Sequence, residues 1–139
     1  MTKKCLLVSP DFPPPLIGGS LVYVSTLVTN TQYSFDILTG IKKNNKEEIT
    51  KSPNKIIRSS FITDSSNPSR FSLLKMYICF FFLIPIMIFR TSYKVIIANS
   101  GVIGNSILIS LGKLLKIKVI CISYGEELNA PVKSKTIKN

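Results

Sequence analysis

The chain has 139 residues, of which 45% are hydrophobic, so it is long enough to bury a core and too apolar for wholesale disorder. Eighteen basic residues against seven acidic ones give a net charge of +11, which favours nucleic acid, anionic lipid or phosphorylated substrates as partners. The sequence contains no histidine, which excludes a hydrolase built on a Ser–His dyad from this chain by itself.

A strand, a loop and a helix open the chain. Lys3–Ser9 holds the short apolar run of a buried parallel strand, and residues 20–30 repeat apolar side chains at helical spacing. The loop between them, residues 10–20, is rich in proline, which opposes regular structure, and it contains the adjacent Gly18 and Gly19. These glycines permit a tight turn and a close approach of the backbone to a ligand. An ordinary strand-to-helix turn accounts for them equally well.

Two further strands follow. Tyr33–Thr39 alternates apolar and polar residues and predicts a second strand, and Lys55–Ile62 predicts a third. Residues 41–54, between them, carry charge and asparagines and predict a loop or a weak helix. Residues 63–69 form a turn-rich link.

The segment from Arg70 to Arg90 is unusually apolar, since Met76 through Phe89 contains no charged residue. Helices that flank a sheet normally keep one polar face, so this segment requires more than ordinary core packing to explain it. We favour a helix over residues 71–89 that docks on an anionic membrane surface, with a buried core helix and a membrane span as alternatives. Pro85 would kink such a helix.

The last third of the chain repeats the strand–helix pattern. Val95–Ala98 is a continuous apolar run typical of a central parallel strand, and the loop 99–101 leads from it into a helix. The predicted apolar stripe of that helix is Ile103, Ile107, Leu111 and Leu114. Ile117–Ser123 predicts a final strand, and residues 128–139 predict an exposed tail.

Because strand and helix alternate, the sequence predicts an α/β domain over residues 1–127, with a parallel sheet covered on both faces. In such a sheet ligands bind beyond the carboxyl ends of the strands, where residues 10–20, 99–104 and 124–127 should meet. Gly18 and Gly19 would offer backbone N–H groups to an anion. Ser100 would add a hydroxyl or act only as an ordinary N-cap, and Gly101 would allow close backbone approach.

The cysteines indicate the cellular compartment of the protein, and the distribution of charge indicates which anionic partner it binds. Cys5, Cys79 and Cys121 lie within apolar segments and form no short-spaced pair, which favours reduced, structural thiols in the cytosol. Nucleic acid is the weaker anionic partner, because zinc-ligand spacing and ribonucleoprotein motifs are absent and Glu47 and Glu48 interrupt the basic cluster.

Two groups of residues resemble family-4 glycosyltransferases of the GT-B fold. The first is Pro13-Pro14 with Gly18-Gly19, Tyr23 and Leu27, followed by Phe35-Asp36-Ile37-Leu38-Thr39. That family opens its N-terminal domain with a Pro-Pro-x-x-Gly-Gly loop, and a strand ending in Thr follows its first helix. The second group is Tyr124-Gly125-Glu126-Glu127, where the family commonly has His-Gly-x-Glu or His-Gly-x-Asp.

The resemblance implies a Rossmann-like, acceptor-side domain, one half of a GT-B enzyme. The whole enzyme transfers sugar from a nucleotide-sugar donor to a glycan or lipid-linked acceptor, and we expect neither a metal nor a further cofactor. Glu127 takes the family's acidic position, where it would accept hydrogen bonds from sugar hydroxyls, serve as a base or remain a solvated carboxylate. Tyr124 stands at the family's histidine position and is a poor base near neutral pH.

The family's donor-binding domain has no counterpart before Asn139, so we expect this chain to transfer no sugar alone. A donor-domain partner chain or a continuation would complete the site. The expected location is the cytoplasm, peripheral on the inner face of the membrane. The alternative function is a non-catalytic, membrane-associated α/β module that binds an anionic ligand or a protein partner.

Overall fold

The computed structural model describes residues 4–13, 19–41, 54–62 and 69–123, and its centre is a five-stranded parallel sheet in the order β3-β2-β1-β4-β5. In chain order the strands are β1 (Lys4–Ser9), β2 (Ser34–Gly40), β3 (Lys55–Ser59), β4 (Val95–Ala98) and β5 (Lys118–Cys121). The chain steps outward from β1 to β3 and then crosses to the other side of β1. A topological switch point therefore lies between β1 and β4.

Helices cover both faces of this sheet, which is the α/β, Rossmann-like arrangement that the sequence predicts. On one face, α1 (Gly19–Thr29) packs Val24 and Val28 with Leu7 of β1. The other face carries α2 (Arg70–Ile78), a π-helical turn (Cys79–Leu83), α3 (Ile84–Thr91) and α4 (Gly101–Leu114). Successive strand residues point to opposite faces, so Leu6 packs in this second layer.

The two edge strands are shorter than predicted. β3 ends at Ser59 rather than at Ile62, and β5 ends at Cys121 rather than at Ser123. Both strands pair on one side only, so fewer ladder hydrogen bonds extend them. Residues 42–53, 63–68 and 124–139, which include the predicted tail, lie outside the described residues.

The apolar stripe predicted for α4 is wrong at its C-terminal end. Leu108 and Leu111 are buried against the sheet, whereas Leu114 is 77% exposed. α4 can approach the sheet closely because Gly112 faces β5: an added Cβ would lie 2.2 Å from Cγ2 of Val119. The buried face of α4 therefore includes a glycine, which a hydrophobic pattern does not reveal.

Asp36 is a charged residue inside the sheet. The sequence alternates apolar and polar residues over β2, but helices or loops cover both of its faces, and Asp36 is only 3% exposed. Its carboxylate accepts a hydrogen bond from the Tyr93 hydroxyl and lies 3.1 Å from Nζ of Lys4. These partners offset the free-energy cost of burying the charge.

α2, the π-helical turn and α3 run on as one helix, Arg70–Thr91, called here the apolar helix. Four of its five buried side chains recur at every fourth residue, namely Met76, Phe80, Ile84 and Ile88, and the fifth is Cys79. In an α-helix four residues overshoot one turn by about 40°, so this stripe would drift away from the sheet. The wider π-helical turn reduces that drift, and it ends two residues before Pro85, which has no N–H to donate. The helix thus changes type before Pro85 and continues as an α-helix through this proline to Thr91.

Candidate functional site

The switch point between β1 and β4 is closed at its floor by a short chain of hydrogen bonds. The Asn99 backbone N–H donates to the Val8 carbonyl over 2.9 Å, and the side-chain amide of Asn99 donates to Oγ of Ser9 over 3.0 Å. The Ser9 hydroxyl in turn donates to the Asp11 carbonyl over 2.6 Å. These contacts tie the segments that follow two adjacent strands, at the edge where open α/β sheets bind ligands.

The loop after β1 is also fixed by the end of β2. The Gly40 N–H donates to the Pro10 carbonyl over 3.0 Å, and the Thr39 hydroxyl donates to the same oxygen over 3.3 Å. A Cβ on Gly40 would lie 2.8 Å from that oxygen and 2.7 Å from the Ile62 carbonyl oxygen, so only glycine fits between them. Phe12 is buried in the α1 layer, which holds the described part of the loop against the sheet.

Gly19 begins α1 at this edge, and Ser20 lies within its first turn rather than before it. Gly19 does not have a left-handed φ, and a Cβ added to it would meet nothing within 4 Å. The tight turn that the sequence suggested therefore does not require a glycine at position 19. The open space around Gly19 leaves room for a ligand to approach the backbone there. Gly18 lies outside the described residues.

Ser100, for which the sequence allowed either a hydroxyl for a ligand or an ordinary N-cap, occupies the N-cap position of α4. It is buried, makes no side-chain capping bond, and donates both its N–H and its hydroxyl to Oδ1 of Asn105, over 3.0 Å and 3.2 Å. Gly104 closes over it, since a Cβ there would lie 2.5 Å from the Ser100 hydroxyl oxygen. Ser100 and Asn105 therefore fix the start of α4 rather than face a ligand.

Gly101 is the predicted site residue with the clearest conformational requirement. Its φ is 72°, a left-handed conformation that costs little for glycine and is strained for other residues. Gly19 and Gly101 thus begin helices that follow adjacent strands, at the same edge of the sheet. Tyr124 and Glu127, the remaining predicted site residues, lie outside the described residues.

Ser9 and Asn99 are site residues that the sequence pattern did not single out. Their side chains meet across 90 positions of sequence, and only the pairing of β1 with β4 brings them together. The sequence did carry one signal for them: each is a polar residue that comes directly after a buried apolar run. Within the described ranges, no group of three or more Cys, Asp or Glu side chains is placed to hold a metal ion.

The three thiols differ in accessibility. Cys5 and Cys79 are buried and free, and burial raises the pKa of Cys79 to about 11 and also raises that of Cys5. Cys121, on the edge strand β5, is free and exposed, contrary to the expectation of three structural thiols.

A second surface lies on the side of the apolar helix away from the sheet. Eight large apolar side chains are exposed there and are called the outer apolar face: Phe71, Leu74, Tyr77, Ile78, Phe81, Phe82, Ile86 and Phe89. At 22 residues the apolar helix is long and apolar enough to cross a membrane, by length and composition alone.

Comparison with protein-family models, with curated proteins and with solved structures finds no match to this chain.

Proposed function

We propose that this chain is the acceptor-side domain of a glycosyltransferase that acts at the inner face of a membrane. The observation that carries the proposal is the switch point, where the loops after β1 and β4 converge and both lead into helices that begin with glycine. Helix N-termini at this edge of a parallel sheet favour anionic groups such as a sugar diphosphate. The Pro-Pro and Gly-Gly resemblance of the first loop supports the choice of sugar transfer within this general site.

The domain acts together with a donor-binding domain. The described part of the switch point offers backbone N–H groups and the amide of Asn99, and no acid or base is placed there to move a proton except Asp11. An open edge also leaves hydrogen bonds to a sugar in competition with water. A second domain, on a partner chain or a continuation, would exclude water and supply donor contacts. We expect the purified chain alone to transfer no sugar.

Gly19→Val is the decisive variant, because the structure leaves open space for a Cβ at this position. Valine there should leave folding unchanged and obstruct only a ligand that approaches the start of α1. The matched control is Thr26→Val, which places valine at an exposed position near the other end of the same helix.

The chain is co-expressed with candidate donor-domain proteins, and transfer from a panel of nucleotide sugars to lipid-linked acceptors is measured. We expect transfer with the wild type and the control, and at least a tenfold loss with Gly19→Val. Equal transfer by all three would show that the first loop is only a turn. Transfer by the isolated chain above a boiled control would disprove the need for a donor domain, and no transfer with any donor domain would contradict the proposal itself.

A second candidate function is a non-catalytic membrane module, and the outer apolar face favours it. Such a surface needs no active site to recruit a protein or an anionic ligand to lipid. Vesicle binding combined with an absence of sugar transfer in every pairing above would select this function over the first.

A further inference from the structure

The outer apolar face is a large exposed apolar patch for a soluble protein. Its four phenylalanines, Phe71, Phe81, Phe82 and Phe89, are 58% to 75% exposed. Since an aromatic residue offers about 150–250 Å² of surface, these four leave on the order of 500 Å² in contact with water. That value already reaches the range of about 300–600 Å² for the largest apolar patch on a typical monomer, before the other four residues are added. The face therefore requires an occupant.

Basic side chains border this face. Arg70 and Arg90 are exposed at the two ends of the apolar helix, and Nζ of Lys75 lies 4.7 Å from the centroid of the Phe71 ring. In the part of the chain that the structure describes, the acidic residues are Asp11 and Asp36, and Asp36 is buried beside Lys4. The border of the outer apolar face is thus positive, and it complements an anionic lipid surface. The described surface of a second copy of this chain would offer few carboxylates to pair with it.

We propose that the outer apolar face docks on an anionic lipid bilayer, with the apolar helix lying in the plane of the interface. Phenylalanine rings enter the boundary between head groups and acyl chains, while Arg70 and Arg90 contact lipid phosphates. The proposal rests on the proposed function only for the location of the protein at a membrane, and its test involves no sugar.

The packing of the apolar helix on the sheet argues for this position rather than for a span. Phe80 and Ile84 are fully buried in the same cluster as Leu6, Val8 and Leu38. To cross a bilayer the helix would have to leave the sheet and expose that cluster to water, which is unfavourable. Lying in the interface needs no such rearrangement, because the side chains that meet lipid already point outward.

The topology also sets how the switch point lies relative to the lipid. The apolar helix leads from β3 back to the start of β4, so it runs antiparallel to the strands. Its Arg70 end therefore lies towards the carboxyl edge of the sheet, where the switch point is. A docked domain would hold that edge beside the membrane, within reach of an acceptor whose lipid stays in the bilayer.

The first test measures co-sedimentation of the full chain with vesicles of phosphatidylglycerol and phosphatidylcholine, or of phosphatidylcholine alone. We expect strong binding to the anionic vesicles, weakened about tenfold or more by Phe82→Ser or Phe89→Ser. Val22→Ser, which removes an exposed apolar side chain from α1 on the opposite side of the sheet, should bind like the wild type. Negligible binding to both vesicle types, or an equal loss in all three variants, would overturn the proposal.

Two variants that each remove one positive charge distinguish docking at the border of the outer apolar face from attraction by the net charge of the whole protein. Arg90→Gln removes a charge that borders the outer apolar face, and Lys118→Gln removes an exposed charge from β5. One basic residue near an anionic surface is worth about a fivefold change in partitioning. We expect that loss for Arg90→Gln alone. The same loss in Lys118→Gln would show that net charge, and not this border, brings the protein to lipid.

The last test measures how deeply the outer apolar face enters the bilayer. The chain contains no tryptophan, so Phe82→Trp introduces a single fluorophore on the outer apolar face without removing its apolar character. On anionic vesicles we expect a blue shift of emission and strongest quenching by lipids brominated near the head group. Strongest quenching at the bilayer centre would indicate a span and contradict an interfacial helix. A blue shift without vesicles, together with a dimeric mass, would show that a second copy covers the face instead.

Discussion

Replacing Tyr93 with phenylalanine should destabilise the protein by about 2 kcal/mol. The ring, which is buried in the core, would remain, but the Asp36 carboxylate would lose the hydroxyl that donates to it. Hydrogen bonds to charged groups contribute about 1.5–3 kcal/mol, and Asp36, at 3% exposure, cannot replace the lost donor with bulk water. Lys4 stays as a partner at 3.1 Å, which keeps the loss below that of an isolated buried charge.

Urea unfolding measures this loss, and Tyr33→Phe is the matched control because the Tyr33 side chain is exposed. The control should change stability by less than about 0.5 kcal/mol. For Tyr93→Phe, a difference of about 2 kcal/mol corresponds to a fall of the urea midpoint of about 1 M. If both variants unfold at the same midpoint, the buried hydrogen bond does not stabilise the protein and our account of Asp36 fails.

The same residue predicts a dependence on alkaline pH. Burial, and then the hydrogen bond to Asp36, raise the pKa of Tyr93 well above its usual value of about 10. As pH rises through that usual value, the unfolded chain loses the Tyr93 proton while the folded chain keeps it, so stability falls. We expect a steeper loss from pH 9 to pH 11 in the wild type than in Tyr93→Phe, whereas identical slopes would exclude a role for this proton.

Three further predictions concern single positions. Gly112→Ala should lower stability by about 1–3 kcal/mol in urea unfolding, because its Cβ would lie 2.2 Å from Cγ2 of Val119; an unchanged midpoint would mean that α4 can shift freely. Gly101→Ala should cost about 1–2 kcal/mol because its φ is 72°, while Gly19→Ala should be neutral or slightly stabilising; equal effects would contradict this distinction. In the native protein a thiol reagent should modify Cys121 and leave the two buried thiols until urea is added, and mass spectrometry of the labelled peptides would reveal any other order.

The alternation of apolar runs and loops was sufficient to predict the parallel sheet and its helices. Val95–Ala98 is apolar throughout because helices cover both faces of a central strand, and the structure has β4 with the same bounds. The buried Asp36 could not be foreseen, since its partners Lys4 and Tyr93 come from distant segments that only the folded sheet aligns. Local patterns indicate an element but not which polar groups will meet inside it.

The sequence predicts the candidate site at the carboxyl edge of the sheet, where the structure brings the loops after β1 and β4 together, and ligand binding there stays a prediction. Gly101 has a left-handed backbone, which a glycine in the turn into α4 adopts easily because this conformation is a local property of the turn. The backbone N–H and the hydroxyl of Ser100 both donate to Asn105, one turn further on, and the sequence pattern does not reveal that contact. The contact of Ser9 with Asn99 depends on which strands are neighbours, which strand periodicity alone does not specify.

The π-helical turn Cys79–Leu83 has a consequence for the two halves of the outer apolar face. Residues before the turn, such as Leu74, and residues after it, such as Phe89, point the same way only because this turn sets their relative rotation. If the same five residues were wound as a regular α-helix, one half would rotate against the other by close to the 100° that one residue adds. A single flat contact surface would then become two smaller ones on different sides of the helix. The area that this protein presents as one plane is therefore governed by backbone geometry at one turn, and not by its phenylalanine content alone.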